Sequence, residues 1–279
     1  MGKSLKKREK RFLKEKGDIM NLTGKVVAIT GGGGGIGRVA SNVFAKNGAK
    51  VVILELNEQG GLETEAEIKA AGGYAMFIKT DVSSEESVKA AFAKIKDTFG
   101  TLDALYNNAS VFLGGRDTNL EDLNYDIWKK VLAINLDSVY LCSKCAIALM
   151  KEKGGAIINT ASSAGVVGVP GCAAYTATKG ATVSLTRALA VECGKYGIRT
   201  NCIAPAAIQT AMVKQSNLND PGFDNDFFIR QITPSGRWGK PEEIANLACF
   251  LASDEAAYIN GAIIPADGGI TINGNVNKM

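Results

Sequence analysis

Tyr175 and Lys179 stand four positions apart in the stretch YTATK, and Ser162 lies thirteen residues upstream of the tyrosine, near the end of the run GAIINTASS. On a helix, side chains at i and i+4 share a face. An ammonium held beside a phenol favours the phenolate and draws its pKa down from about 10. Such a phenol can exchange a proton with an alcohol or a ketone, and the Ser162 hydroxyl can hold the same substrate oxygen. The 279-residue chain contains no histidine, so acid–base chemistry must use another residue type and histidine-ligated zinc is excluded.

A second group with chemical meaning is VVAITGGGGGIGRVA, residues 26–40, with glycine at 31 to 35 and again at 37. A predicted strand precedes it and a predicted helix follows. In that context the N–H groups of a glycine-rich turn and the helix dipole bind pyrophosphate. Glu55 ends the next predicted strand, 18 residues after Gly37, where a carboxylate can accept hydrogen bonds from ribose hydroxyls. The same carboxylate repels a 2′-phosphate by roughly 4 kcal/mol at ~4 Å and an effective dielectric near 20, before screening. Neither Gly34 nor Leu56 is a Lys or Arg that would offset it, so the sequence predicts NAD in preference to NADP.

Short apolar runs at 25–30, 50–55, 74–79, 102–107, 155–161, 198–204 and 262–266 read as strands buried on both faces. Helix-length segments at 36–47, 58–71, 84–98, 122–152, 174–195 and 241–252 alternate with them. The alternation predicts one α/β domain of the Rossmann type over 20–279, with a doubly wound, seven-stranded parallel sheet between helices. Residues 207–238 break the rhythm as a long loop, which points to a cover over the substrate. Met212, Phe223, Phe227, Phe228 and Ile232 either shield a bound molecule or pack on the core.

Residues 1–19 carry eight Lys/Arg against three Asp/Glu, whereas the remainder has 24 basic and 25 acidic residues. The body therefore has no basic character for nucleic acid, and the tail is expected to be a mobile, solvated extension without the features of a signal peptide. No stretch reads as the ~20 apolar residues of a membrane span. The six cysteines lie mostly in apolar segments as small buried residues, which suits the cytoplasm. Cys142 and Cys145 form a CxxC inside a helical pattern, and with no second pair no metal site is expected.

With these motifs in order, residues 20–272 resemble the short-chain dehydrogenase/reductase family. Thr30, Gly31, Gly35 and Gly37 match its TGxxxGxG motif, which leaves Gly32, Gly33 and Gly34 at positions where other residues are allowed. The resemblance implies a cofactor set of Gly31, Gly34, Gly35, Ile36, Gly37, Glu55, Leu56, Asp81, Val82, Asn108, Ala109, Ser110, Pro205, Ile208 and Thr210, with Tyr175 and Lys179. Within it Asp81 and Val82 meet the adenine, Lys179 meets the nicotinamide ribose, and Ile208 and Thr210 meet the nicotinamide end. Asp81 can equally cap the following helix, and Asn107 can be structural. The resemblance also adds Asn135, in AINLDSV, to the catalytic residues Ser162, Tyr175 and Lys179, as holder of a water that links Lys179 to solvent. Two departures stand out: Ser110 replaces the last glycine of NNAG, and Ala206 replaces the glycine of the segment N-x-I-x-P-G.

The implied activity is hydride transfer between NAD and a secondary alcohol or ketone, with Tyr175 as acid–base. The small-molecule substrate is expected to be apolar or moderately polar. A homotetramer built on the helices of Asn135 and Tyr175 is implied too, with neither membrane nor nucleic acid as partner. The alternatives are an NADP-preferring carbonyl reductase of the same family, a catalytically idle cofactor-binding regulator, and a binder working through the basic tail. Enoyl reductases of the superfamily generally have a longer gap from Tyr to Lys than this chain.

Overall fold

The computed structural model describes residues 20–212 and 224–274; the basic tail and Phe223 lie outside them. Seven parallel strands form one sheet in the order β3-β2-β1-β4-β5-β6-β7. The strands are β1 (Val26–Thr30), β2 (Lys50–Glu55), β3 (Tyr74–Lys79), β4 (Ala104–Asn107), β5 (Gly155–Thr160), β6 (Ile198–Pro205) and β7 (Ile263–Ala266). The helices are α1 (Gly35–Lys46), α2 (Glu58–Ala70), α3 (Glu85–Phe99), α4 (Tyr125–Leu132), α5 (Ser138–Met150), α6 (Ala173–Cys193) and α7 (Pro241–Ala252).

The continuous apolar character of the strands follows from cover on both faces. Val27 and Ile29 of β1 pack with Phe44, Ile244 and Cys249 on one side. Val26 and Ala28 pack with Phe92, Cys142, Met150 and Leu189 on the other. Each fully buried Val, Leu, Ile or Phe stabilises the fold by about 1.5–3 kcal/mol. Strand order reverses between β1 and β4, which opens a crevice at their carboxyl ends, where ligands of open α/β sheets bind.

The pattern at 122–152 predicts one helix, but the structure inserts a π-helical segment, Ala133–Asp137, between α4 and α5. The helical run Tyr125–Met150 is 26 residues long, with a mean hydropathy of 1.4 in its most apolar window, enough by length and composition to cross a bilayer. This corrects the expectation that no stretch is apolar enough. Its apolarity has a local cause, because Val131, Val139, Cys142, Ala146 and Met150 are buried within the fold.

Asn107 belongs to a polar chain inside the sheet. It faces Asn159 in register across β4 and β5 and donates to Asn159 Oδ1 at 2.9 Å and to Ser143 Oγ at 3.1 Å. Asn159 in turn donates to Thr186 Oγ1 at 2.9 Å. From there hydroxyls climb the buried side of α6: Thr186 to the Thr182 carbonyl, Thr182 to that of Thr178, and Thr178 to that of Tyr175, at 2.8, 2.9 and 2.8 Å. The structural reading of Asn107 is the one realised.

Candidate active site

A cleft of about 1150 Å³ occupies the crevice. Its walls include Gly31, Gly34, Gly35, Ile36, Glu55, Leu56, Asp81, Val82, Asn108, Ala109 and Ser110 at one end. Ser162, Tyr175, Pro205, Ile208 and Thr210 complete the expected catalytic and cofactor-binding residues that line it. Gly37, Asn135 and Lys179 are also buried, but they stand behind the wall.

The glycine run is a turn pressed between backbones. A Cβ on Gly37 would lie 1.9 Å from the Gly31 carbonyl oxygen, and Gly31 itself has φ +65°. Gly34 has nothing within 4 Å of an added Cβ, as expected of a free position. Gly33 corrects the expectation: its Cβ would meet Glu55 Cγ at 2.7 Å and the Gly60 carbonyl carbon at 2.8 Å. Gly32 is tight as well, with the Ser41 hydroxyl at 3.0 Å. The turn lies against the first turn of α2, where Gly60 and Gly61 leave it room.

At the start of α1 no side chain caps the helix. Its first N–H groups have no partner within the helix, and they meet the open space beside Gly34 and Gly35. That is a cradle for an anion. Glu55 stands next to it, its Oε2 accepting from Gly33 N–H at 3.1 Å and its Oε1 from Asn57 N–H at 2.9 Å. Each oxygen keeps acceptor capacity for a ribose hydroxyl. The charged side chains along the described cleft wall are Glu55, Asp81 and Asp224, with no Lys or Arg. Nearby Arg38 is engaged by Glu63 and Glu67 of α2. Asp81 accepts from the N–H and hydroxyl of Ser83 at 2.9 and 2.6 Å, which fixes the turn before α3.

Lys179 donates to the Thr160 carbonyl at 2.9 Å, and its Nζ is 5.5 Å from the centre of the Tyr175 ring. Burial lowers the ammonium to about 8. Burial also pushes the Tyr175 phenol up to about 12, opposed by a hydrogen bond with Ser162. The expected lowering of the phenol is therefore not met by these side chains alone, because loss of solvent outweighs the hydrogen bond with Ser162. Neutral phenol and largely protonated amine are the resting forms near pH 7. Ser162 Oγ accepts from Ala164 N–H at 3.3 Å. Gly165 lets this turn approach α6, since a Cβ there would fall 2.6 Å from the Lys179 carbonyl group.

Asn135 sits in the π segment, where both ends of its amide engage Val111. The Val111 N–H donates to its Oδ1 at 2.8 Å, and its Nδ2 donates to the Val111 carbonyl at 2.9 Å. These bonds place it as a clamp on the segment after β4.

Sequence reasoning missed three residues. Phe112 lines the cleft and meets the Tyr175 ring edge-on at 5.1 Å between centroids. Asp117 accepts from the N–H groups of Ala174 and Tyr175. Gly165 carried a signal in its glycine, whereas the other two sit in a loop with no periodicity to mark them.

Met212, Phe227, Phe228 and Ile232 line the opposite wall, and Phe228 and Ile232 also form a small apolar cluster with Ile270. Both readings of these side chains therefore hold. The departure at Ala206 has its strain one residue later, because Ala207 is the non-glycine residue at positive φ, +52°, among those described. We expect Ala207→Gly to raise stability by up to about 1 kcal/mol and Ala207→Val to cost about 1–3 kcal/mol. Thermal unfolding of the two variants checks this, and a less stable glycine variant counts against strain there.

The comparisons agree with this geometry. Residues 31–271 match a family model described as enoyl-(acyl carrier protein) reductase. The 2,5-dichloro-2,5-cyclohexadiene-1,4-diol dehydrogenase of Sphingobium indicum is 39% identical over 255 residues, covering 91% of this chain and 99% of that one. The crystal structure of levodione reductase superposes with a TM-score of 0.84 at 38% identity, covering 90% of this chain and 98% of that one. That of a 3-ketoacyl-(acyl-carrier-protein) reductase from Brucella melitensis, complexed with NADH, gives 0.82 at 35%, covering 90% and 100%. With its parallel sheet, its glycine turn and Lys179 behind the Tyr175 and Ser162 wall, the chain belongs to the short-chain dehydrogenase/reductase family, as an oxidoreductase that uses a nicotinamide cofactor and acts on CH–OH groups.

Proposed function

We propose that the protein is an NAD-dependent dehydrogenase of uncharged secondary alcohols, working reversibly on the matching ketones, with Tyr175 as the acid–base group. The observation that carries this reading is the placement of Tyr175, Ser162 and the nearby Lys179 at one end of a cleft whose other end holds the bare N-terminus of α1 and Glu55. The N–H groups of the glycine turn would hold the pyrophosphate and Glu55 the adenosine ribose. Asp81 and Val82 would border the adenine, with Asn108, Ala109, Ser110, Pro205, Ile208 and Thr210 along the nicotinamide half. When bound, NAD supplies the hydride acceptor.

Tyr175, as phenolate, takes the proton of the substrate hydroxyl during oxidation and returns it during reduction. Ser162, already hydrogen-bonded to Tyr175, steers the substrate oxygen toward it. Lys179 places positive charge against the ring and stabilises the phenolate once formed. Asn135 acts by holding Val111 in place at the cleft wall. The wall around Tyr175 is apolar, with Val111, Phe112, Ile134, Val169 and Phe228, and its described residues include no cation for an anionic substrate. The relative acting on a cyclohexadiene diol and the structural neighbour named for levodione suit such a cleft. The four-residue Tyr–Lys spacing favours alcohol over enoyl chemistry.

The test is NADH absorbance with cyclohexanol, cyclohexane-1,2-diol and 2,3-butanediol, each with NAD and with NADP. The carboxylate at Glu55 and the absence of a cation among the described wall residues should make kcat/KM about 10–100-fold higher with NAD, after screening of the repulsion. A higher value with NADP rejects the cofactor assignment, and no turnover of any alcohol or its ketone rejects the activity.

A further inference from the structure

The helix that carries Tyr175 begins without a cap of its own. Cys172, at its N-cap position, makes no side-chain capping bond. The first N–H groups of such a helix need acceptors from elsewhere. They find them in the segment after β4. Ala173 N–H donates to the Thr118 carbonyl at 3.1 Å. Ala174 and Tyr175 each donate to one oxygen of the Asp117 carboxylate, at 3.0 and 2.8 Å. Asp117 is 1% exposed and lies 58 residues from Tyr175 in sequence. Its charge faces the positive end of the helix dipole.

The same segment is fixed along its length. Asn135 holds Val111 by two hydrogen bonds, and Asn119 Oδ1 accepts from Gly171 N–H at 3.0 Å, next to the helix start. Between these anchors Phe112 sets its ring at 90° to that of Tyr175. The segment therefore holds the tyrosine by its backbone N–H and by a T-shaped contact with its ring.

We propose that Asp117 is a positioning residue for the reaction: through the main chain of Ala174 and Tyr175 it sets the distance of the phenol oxygen from the substrate oxygen and from Ser162. This rests on Tyr175 being the acid–base group. Proton transfer is steep in donor–acceptor separation, and a 1 Å misplacement can cost about 10²-fold in rate. Binding of the dinucleotide depends on β1, α1 and Glu55 at the other end of the cleft, which Asp117 does not touch. Removing the carboxylate should therefore slow the proton step and leave cofactor affinity alone.

The experiment compares Asp117→Ala, Asp117→Asn and the parent on the fastest of the three alcohols, with NADH affinity and stoichiometry read by fluorescence. Asp117→Ala is expected to lower kcat by about 10²-fold, and Asp117→Asn, which keeps one acceptor, by less. NADH dissociation should change by less than about threefold, the affinity resting on groups the substitution does not reach. The solvent deuterium isotope effect on kcat should rise in both variants, because proton transfer becomes limiting. A purely structural role predicts otherwise: fewer NADH-binding chains, kcat reduced in proportion, and an unchanged isotope effect. That result, or a kcat for Asp117→Ala within about threefold of the parent, overturns the proposal. If Asp117→Ala does not fold, the isosteric Asp117→Asn carries the test, and an unchanged isotope effect in it overturns the proposal equally. Tyr175→Phe separates the two levels of the argument. If it retains full activity the acid–base assignment fails; if it is inactive while the Asp117 variants behave as the parent, only the positioning role fails.

Discussion

Tyr175→Phe should lower kcat in both directions by about 10²–10⁴-fold, the range by which a positioned acid or base accelerates proton transfer. The substitution removes one oxygen and leaves the ring against Phe112, so the cleft keeps its shape. NADH affinity should stay at the parent value, because the glycine turn and Glu55 lie at the far end of the site. The pH dependence carries the same information. With the phenol held up at about 12 by burial, the base form is scarce at neutral pH. Alcohol oxidation, which needs the phenolate, should therefore rise with pH through the alkaline range. Ketone reduction uses the neutral phenol and should not share that rise. Positive charge near the ring, from Lys179 or from an oxidised nicotinamide, shifts the oxidation limb to lower pH without changing its direction. Steady-state rates from pH 6 to 10 in both directions measure this. A Tyr175→Phe enzyme that keeps the parent's rate and slope would remove Tyr175 from the mechanism.

Gly37→Ala should have the other large effect. Its methyl would sit 1.9 Å from the Gly31 carbonyl oxygen and 2.6 Å from the Asn108 amide nitrogen, and the first of these atoms is backbone that cannot swing aside. The turn and α1 have to separate, which dismantles the anion cradle and strains the join of β1 and β4. We expect a loss of about 3 kcal/mol or more in stability, in the tail of single-substitution effects, and NADH binding weakened beyond measurement. Gly34→Ala is the control for stability, since that position is extended, with φ −149°, and has open space around it. Its Tm should match the parent's. A Gly37→Ala protein that binds NADH normally would mean the turn is softer than its contacts imply.

Much of this was legible in the chain. Strands buried on both faces show as unbroken apolar runs, so β1, β2, β3 and β5 stand within a residue or so of their expected limits. Tyr175, Lys179 and Ser162 could be read because a helix repeat and a strand end are local facts. What escaped the sequence depends on distant partners. Asp117 caps a helix that starts more than fifty residues later, and no local pattern marks a borrowed cap. Gly33 looked replaceable because its obstacles, Glu55 and Gly60, belong to other elements. The π segment hides in an apolar pattern that continues through it without a break. The direction of the Tyr175 shift follows from burial, and a Tyr–Lys spacing reports the neighbour but not the solvent.

The polar chain from Asn107 through Asn159 and the three threonines has a consequence for how this protein can change over generations. The hydroxyls of Thr178 and Thr182 end on main-chain carbonyls that any residue supplies, but Asn107, Ser143, Asn159 and Thr186 answer one another side chain to side chain, so exchanging one of these four for a hydrophobe strands a buried partner, at a cost of about 1–3 kcal/mol. Replacing all of them together by apolar residues of like shape would leave nothing stranded. Between those two sequences lies a run of less stable intermediates, so these four positions should be inherited as a block. A lineage is free to alter the cleft walls one residue at a time and so acquire new substrates, while the strands and helix that carry the tyrosine are held to their ancestral lettering.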